Sequence, residues 1–216
     1  MYTLTTFRSV PSFAIGYVRD LRVRWALEEA GQAYAVRTIG FEETGEPAFR
    51  REQPFGQVPL LQDDKLVLFE SGAILAHLGE TYPVLMPAAA GERLRVLTWM
   101  FAALSSVEPY VAELARLDAF SAHEPWAIAH RPAVEAMARK RLADLDAALE
   151  DRLYLAGGFS AADILMASVL RMLDGKAMVE SFGRLHAYMA RCLARPAFAR
   201  ALADQVALFT PAFAAA

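Results

Sequence analysis

Residues 54–71, PFGQVPLLQDDKLVLFES, contain the side chains whose types and spacing best suit the binding of a small peptide. Glu70 and Ser71 stand at the end of this stretch, just before an apolar-periodic segment over residues 73–82 that predicts a helix. A serine at a helix start caps backbone N–H groups, and the uncapped N–H groups attract a carboxylate together with the positive end of the helix dipole. Glu70 and Ser71 therefore offer an acceptor for an amine beside a receiver for a carboxylate.

The earlier half of this stretch predicts a β-hairpin. Two short apolar runs, residues 58–61 and 66–69, flank the turn-forming sequence QDDK. Pro59 predicts a bend at the start of the first strand, because proline cannot donate to a strand ladder. If the Val58-Pro59 bond is cis, the backbone N–H and C=O of Val58 turn outward and can pair with a peptide ligand. The alternative is a plain hairpin followed by a capped helix.

The elements before the hairpin must position it. Alternation and composition predict strands at Tyr2–Phe7 and Tyr34–Ile39, and apolar spacing predicts a helix over residues 15–30 that ends at Gly31. Residues 40–53 show no clear pattern and are expected to form a loose segment. With the hairpin and the following helix, the order of elements is βαβ, then ββα, which predicts an α/β domain.

A change of pattern after this module predicts a second domain. Residues 83–91, PVLMPAAAG, contain two prolines and a glycine and read as a linker, so the predicted domains cover residues 1–82 and 92–216. The spacing Ser160 to Asp163 is that of a capping box at a helix start. Four helices are predicted after the linker, over residues 93–117, 132–152, 160–173 and 196–208. The second domain is therefore expected to be all-α.

Composition and charge exclude several classes of protein. Of the 216 residues 56% are hydrophobic, which excludes disorder, and the net charge of −3 leaves no electrostatic footprint for nucleic acid or an anionic membrane. Cys192 is the only cysteine, so no intrachain disulfide and no cysteine-based metal site can form. The four histidines show no metal-binding spacing, and we expect no metal. Without a signal sequence or an apolar run of about 20 residues, the protein is expected to be soluble and cytoplasmic.

The motif PFGQVPLL followed by LFESGAI resembles the glutathione-binding signature of the cytosolic glutathione transferases, in the phi-like and theta-like wording of their bacterial relatives. The resemblance implies a thioredoxin-like N-terminal domain followed by an all-helical domain, with glutathione as co-substrate. It implies that Val58 and Pro59 bind the cysteinyl backbone of glutathione. It also implies that Glu70 and Ser71 hold the ammonium and carboxylate groups of the γ-glutamyl end, and that Gln57 contacts the peptide.

Members of this family keep a Ser, Tyr or Cys in the loop after the first strand to stabilise the glutathione thiolate. A free cysteine thiol has a pKa near 8.5, and lowering it by about two units requires roughly 2.7 kcal/mol of differential stabilisation. The stretch over residues 9–22 that precedes VRWAL is longer than the family pattern, so three hydroxyls compete for this role. They rank in the order Ser9, Ser12, Tyr17. In the alternative, the serines only cap a turn or helix and no hydroxyl activates the sulfur.

A second substrate would lie against an apolar wall. Residues 100, 103, 107 and 110 share one helix face, and such a stripe is otherwise plain core. The predicted wall consists of Phe13, Tyr17, Met100, Ala103, Val107 and Tyr110.

Together these observations predict a cytoplasmic glutathione transferase that joins glutathione to a small hydrophobic electrophile, the chemistry of detoxification. The resemblance implies that it is a homodimer. Two alternatives use the same fold. One is a non-catalytic or regulatory glutathione-binding protein, since fold does not imply function. The other is a glutathione-dependent isomerase or peroxidase.

Overall fold

The computed structural model describes residues 1–209, which form two compact units. The first unit contains residues 1–85 and 195–209, and the second contains residues 86–194. Within the described residues no helix combines the length and the apolar character needed to cross a bilayer. The helices are α1 (Asp20–Glu29), α2 (Pro47–Glu52), α3 (Ser71–Thr81), α4 (Ala90–Phe101), α5 (Glu108–Phe120), α6 (Pro125–Ala148), α7 (Ala161–Leu170), α8 (Gly183–Leu193) and α9 (Pro196–Phe209).

A four-stranded mixed sheet forms the centre of the first unit. Its strands are β1 (Tyr2–Phe7), β2 (Tyr34–Ile39), β3 (Leu60–Gln62) and β4 (Val67–Phe69), in the spatial order β2-β1-β3-β4. Strand β1 runs parallel to β2 and antiparallel to β3, and β4 runs antiparallel to β3. Leu4 is fully buried and pairs with Val36 on one side and Leu61 on the other. The predicted α/β order is confirmed, and so is the hairpin.

Helix α1 is shorter than the sequence predicts. It begins at Asp20 rather than at residue 15, because Gly16 adopts a φ of 84°, a left-handed conformation that an α-helix does not contain. A 3₁₀ turn, Ser12–Ala14, occupies part of the intervening loop. The chain between β1 and α1 is therefore a long loop, and the predicted start of the helix was wrong.

The segment expected to be loose contains regular structure. A 3₁₀ turn, Glu42–Gly45, precedes the six-residue helix α2, which has Pro47 at its first position. Such a short helix completes too few turns to show apolar periodicity, so a sequence pattern does not reveal it. Its buried residue, Phe49, joins a core cluster with Ile39 and Leu60.

Helix α9 packs against α1 within the first unit. The ring of Phe198 lies 4.8 Å from that of Trp25, and the Arg195 guanidinium donates two hydrogen bonds of 2.6 and 2.7 Å to the Glu29 carboxylate. The predicted C-terminal domain includes this helix, whereas in the structure α9 packs within the first unit. The exact boundaries of the two domains stay a prediction.

The second unit consists of helices α4 to α8. Helix α4 continues through a π-helical segment, Ala102–Val107, into α5. Helix α6 begins at Pro125 and runs through Pro132, where the sequence predicted a helix start. Nearly every residue of α7 is buried, which makes it the central helix of the unit. The all-α prediction is confirmed, although it lacked α8.

Candidate functional site

The peptide bond between Val58 and Pro59 is cis. Val58 precedes the first residue of β3, Leu60, so it lies outside the strand and is half-buried, while Pro59 is buried beneath it. Gln57, the residue before Val58, is exposed. The backbone of Val58 thus lies just before the inner strand β3 and is not part of its ladder.

A close-packed turn fixes the chain just before this point. Gly56 has a φ of 64°, and a Cβ atom added to it would lie 2.7 Å from the carbonyl oxygen of Thr44. Only glycine fits both the left-handed conformation and this close approach. The guanidinium of Arg50 donates a 2.7 Å hydrogen bond to the Pro54 carbonyl in the same turn.

Glu70 occupies an uncommon backbone conformation at the corner between β4 and α3. Its φ is 68° and its ψ is 113°, and its side chain is exposed. A non-glycine residue with positive φ outside the left-handed helical region is strained by roughly 1–3 kcal/mol, and such strain clusters at functional sites. The conformation therefore singles out Glu70 as a candidate ligand-binding residue.

Ser71 is the first residue of α3 and is buried. The sequence predicted that its hydroxyl caps the helix, but no side-chain capping bond forms there, and Glu70 holds the N-cap position. Instead the Ser71 hydroxyl oxygen accepts a 3.1 Å hydrogen bond from Nη1 of Arg22, which is itself 3% exposed. Because the oxygen accepts from Arg22, the single hydroxyl hydrogen is left to donate in another direction. Ser71 is thus an oriented donor beside the N-terminal N–H groups of α3.

The three candidate hydroxyls lie in the loop between β1 and α1. Ser9 and Ser12 are exposed, and Ser12 opens the 3₁₀ turn. Tyr17 is 41% exposed, and its backbone N–H donates a 3.0 Å hydrogen bond to the Ala14 carbonyl. Each of the three stays a candidate for activating a thiol.

A buried polar cluster at the start of α1 was not foreseen from the sequence. The Asp20 carboxylate, which is fully buried, accepts hydrogen bonds from Nε of Arg24 at 2.7 Å and from Nε2 of Gln205 at 2.5 Å. Burial raises the pKa of the Asp20 carboxyl, while Arg24 and Gln205 act in the opposite direction. The spacing of Asp20 and Arg24, four residues apart on a helix, was a signal that could have revealed this pair. No sequence signal pointed to Gln205.

Half of the predicted second-substrate wall is core of the second unit. These buried residues are Met100, Ala103 and Val107. Tyr110 is half-buried, and the Arg141 guanidinium lies 5.7 Å from its ring centroid. Phe13, in the first unit, is 54% exposed. A role for these residues in binding a second substrate stays a prediction.

The described residues contain no group of three or more His, Cys, Asp or Glu side chains that could hold a metal ion. The candidate site residues of the first unit offer backbone groups, the Glu70 carboxylate and hydroxyls. Such groups suit the recognition of a zwitterionic peptide by hydrogen bonds.

Comparison with known proteins gives the family of this fold and site. Residues 12–80 match the family model "Glutathione S-transferase, N-terminal domain", and residues 126–196 match "Glutathione S-transferase, C-terminal domain". Glutathione S-transferase 4 of Zea mays is 30% identical over 207 residues, which are 90% of this chain and 90% of the maize protein. The chain therefore belongs to the glutathione S-transferase family, as its motifs predicted.

Other relatives align over a shorter stretch or through structure. Glutathione S-transferase 3 of Schizosaccharomyces pombe is 30% identical over 97 residues, so the match covers 43% of this chain and less than half, 40%, of the yeast protein. A glutathione transferase of Burkholderia graminis, solved with two glutathione molecules bound per subunit, has a TM-score of 0.81 at 26% identity. That match covers 93% of this chain and 87% of the bacterial one. The predicted fold class is thus confirmed across nearly the whole chain.

Proposed function

We propose that this protein is a glutathione transferase that joins the glutathione thiolate to a small hydrophobic electrophile. The observation that carries the proposal is the corner between β4 and α3. There a strained Glu70 stands beside a Ser71 hydroxyl that Arg22 orients at the N-terminus of a helix. The glutathione bound to the Burkholderia graminis relative and the membership in the family give it further support.

In this proposal Glu70 and Ser71, at the corner between β4 and α3, bind the γ-glutamyl group. The Glu70 carboxylate accepts hydrogen bonds from the ammonium group, and the Ser71 hydroxyl and the first N–H groups of α3 donate to the carboxylate. The N–H and C=O of Val58 pair with the cysteinyl backbone as an added strand would, with Pro59 shaping the bend. Gln57, which is exposed beside Val58, contacts the peptide.

The reaction forms a bond between the glutathione sulfur and an electrophilic carbon. The thiol loses its proton to water, the thiolate attacks the carbon, and the leaving group departs with the bonding electron pair. A hydroxyl of Ser9, Ser12 or Tyr17 that donates to the sulfur stabilises the thiolate and lowers its pKa. The exposed Phe13 offers an apolar surface for a small electrophile.

A thermal-shift titration with reduced glutathione tests the binding half of the proposal. A ligand at about 100 times its Kd stabilises the folded state by roughly 2.7 kcal/mol, which for this chain length raises Tm by roughly 5 to 10 °C. Ser71→Ala should lose most of this shift. Ser168→Ala is the matched control, because its hydroxyl bonds to the Ile164 carbonyl within α7, and it should shift like the wild type. No shift in the wild type at saturating glutathione would refute the proposal.

Turnover of a chloronitrobenzene by single variants tests the catalytic half. Of Ser9→Ala, Ser12→Ala and Tyr17→Phe, one should lower kcat/KM by roughly 100-fold while glutathione affinity is kept, as expected for loss of one preorganised donor. An active enzyme that loses nothing in all three variants would show that no hydroxyl of this loop activates the sulfur.

The second candidate function is glutathione binding without turnover. It is favoured by the long loop between β1 and α1, in which Ser9 and Ser12 are both exposed rather than held against a site. A normal thermal shift without turnover of any electrophile, peroxide or isomerisable substrate would select it. If the protein does turn over substrates, isomerase and peroxidase assays would distinguish those activities from conjugation. We also propose that the protein is cytoplasmic and that its role is detoxification.

A further inference from the structure

One buried side chain of helix α9 forms hydrogen bonds with the loop that precedes α1 and with the first residue of α1. Gln205 is completely buried, and its Nε2 donates a 3.1 Å hydrogen bond to the Val18 carbonyl and a 2.5 Å hydrogen bond to Oδ1 of Asp20. One amide group thus holds both a backbone carbonyl of the loop and the first side chain of α1. The residue contributing it is 187 positions away from Val18 in the sequence.

Two backbone hydrogen bonds shape this part of the loop locally. The Tyr17 N–H donates to the Ala14 carbonyl at 3.0 Å, and the Leu21 N–H donates to the Val18 carbonyl, also at 3.0 Å. These turns define the shape of the segment after Gly16, whose φ is 84°. Gln205 joins this segment to a distant helix and so contributes to the position of Val18, and of the neighbouring Tyr17, relative to α1.

The second oxygen of the Asp20 carboxylate is also hydrogen-bonded, by a residue of α1. Nε of Arg24 donates a 2.7 Å hydrogen bond to Oδ2, so the carboxylate is held from α1 itself and from α9. A buried, charge-assisted network of this kind is rigid when its members are paired. Replacing Gln205 would remove one buried hydrogen bond from the Asp20 carboxylate and would free the Val18 carbonyl from α9.

We propose that Gln205 is a positioning residue for thiol activation, which keeps the loop between β1 and α1 in the geometry that aims its hydroxyl at the glutathione sulfur. This inference rests on the proposed function. The groups proposed to hold glutathione are Val58 and Ser71, and Ser71 is bonded to Arg22, whereas Gln205 bonds to Val18 and Asp20. We therefore expect Gln205 to act on the reacting end of the bound peptide more than on its affinity.

The test compares Gln205→Leu with Phe198→Leu in the full chain. Leucine removes the amide and puts an apolar side chain of similar size in its place on the helix. Phe198 packs on Trp25 from the same helix, 4.8 Å between ring centroids, so Phe198→Leu loosens the contact between α9 and α1 without removing a bond to Val18 or Asp20. For both variants and the wild type the measurements are glutathione Kd, the pKa of the bound thiol from thiolate ultraviolet absorbance, and kcat.

We expect Gln205→Leu to raise the pKa of the bound thiol by about one unit and to lower kcat by about tenfold, because misplaced donors lose most of their effect on the reacting atom. Glutathione Kd should stay within about twofold, and Phe198→Leu should leave the thiol pKa unchanged. Equal thiol pKa values in Gln205→Leu and the wild type would overturn the proposal, and so would an equal rise in both variants.

Hydrogen exchange separates this outcome from a failure of the proposed function itself. If the wild type binds no glutathione, the proposed function fails, but the positioning claim still predicts faster exchange of the Tyr17 amide in Gln205→Leu than in Phe198→Leu. Equal exchange in the two variants would show that Gln205 does not hold the loop.

Discussion

Glu70 and Ser71 are adjacent in the chain but are placed by different forces. Ser71 is buried, and its hydroxyl oxygen accepts a hydrogen bond from the equally buried Arg22. Glu70 is exposed and holds a φ of 68° that its side chain disfavours. A backbone strained in this way persists only where the surrounding structure imposes it, so Glu70 is the residue at which stability and ligand binding should conflict.

Glu70→Gly should therefore stabilise the fold while abolishing the γ-glutamyl contact. Glycine relieves the positive φ, and we expect the free energy of unfolding to rise by about 1 kcal/mol after the larger chain entropy of glycine is subtracted. The measurement is Tm with and without reduced glutathione. Glu70→Ala is the matched control, because it removes the same carboxylate but keeps the strain. A Tm for Glu70→Gly no higher than that for Glu70→Ala would contradict the assignment of strain.

At the scale of elements, α1 connects most parts of the first unit. Arg22 reaches the first residue of α3, and Asp20 is bonded to Gln205 of α9. In the second unit α7 has the same central place, and its start is fixed by Asp163. The predicted capping box is confirmed, since this carboxylate accepts a 2.9 Å hydrogen bond from the Ser160 N–H.

Asp163→Ala should destabilise the second unit more than any exposed charge change there. The buried carboxylate also accepts from the Leu155 N–H at 3.0 Å and from the hydroxyls of Tyr188 and Ser160, each at 3.1 Å, so alanine removes four buried hydrogen bonds. We expect a loss of about 3 kcal/mol or more in the free energy of unfolding, measured by urea denaturation.

The control for this prediction is Asp144→Ala. Asp144 forms an exposed pair with Lys140 on α6, 2.9 Å apart, and its removal should change the free energy of unfolding by about 0.5 kcal/mol or less. Similar losses in Asp163→Ala and Asp144→Ala would mean that the capping network contributes little to folding.

At the scale of the whole molecule, an aromatic side chain beside the peptide-binding motif of the first unit is exposed. Phe55 is 63% exposed and meets Phe69 edge to face, with ring centroids 6.2 Å apart. It follows Pro54 in the glutathione-binding motif, where the resemblance to glutathione transferases implies a subunit interface. We propose that Phe55 is covered by a second copy of the chain.

Light scattering should accordingly give a mass of twice 23.8 kDa for the wild type. Phe55→Ser should shift the mass towards one chain, because an aromatic anchor at an interface contributes about 2 kcal/mol or more. Phe41→Ser is the control: Phe41 is 54% exposed, but its ring stacks on Phe7 at 4.3 Å, so the mass should not change. A wild-type mass near 23.8 kDa at all concentrations would reject the dimer.

The sequence alone determined the features that depend on neighbouring residues. The motif over residues 54–71, the order of the four strands with α1 and α3, and the capping box of α7 all follow from short-range hydrogen bonding and periodicity. The predicted start of α1 was wrong, because the apolar spacing continues through Gly16, whose left-handed backbone is incompatible with a helix. Helix α8 was not predicted, although its buried residues recur at helical spacing.

Only the tertiary structure decided which side chains support the site. Arg22 and Ser71 are 49 positions apart, and Gln205 and Asp20 are 185 apart, so no local pattern pairs them. The docking of α9 on α1 is of the same kind, since it depends on packing and ion pairs between the two ends of the chain. The peptide-binding motif is thus a property of one contiguous stretch, whereas the orientation of its groups is a property of the folded unit, because burial and charge pairing act through space rather than along the chain.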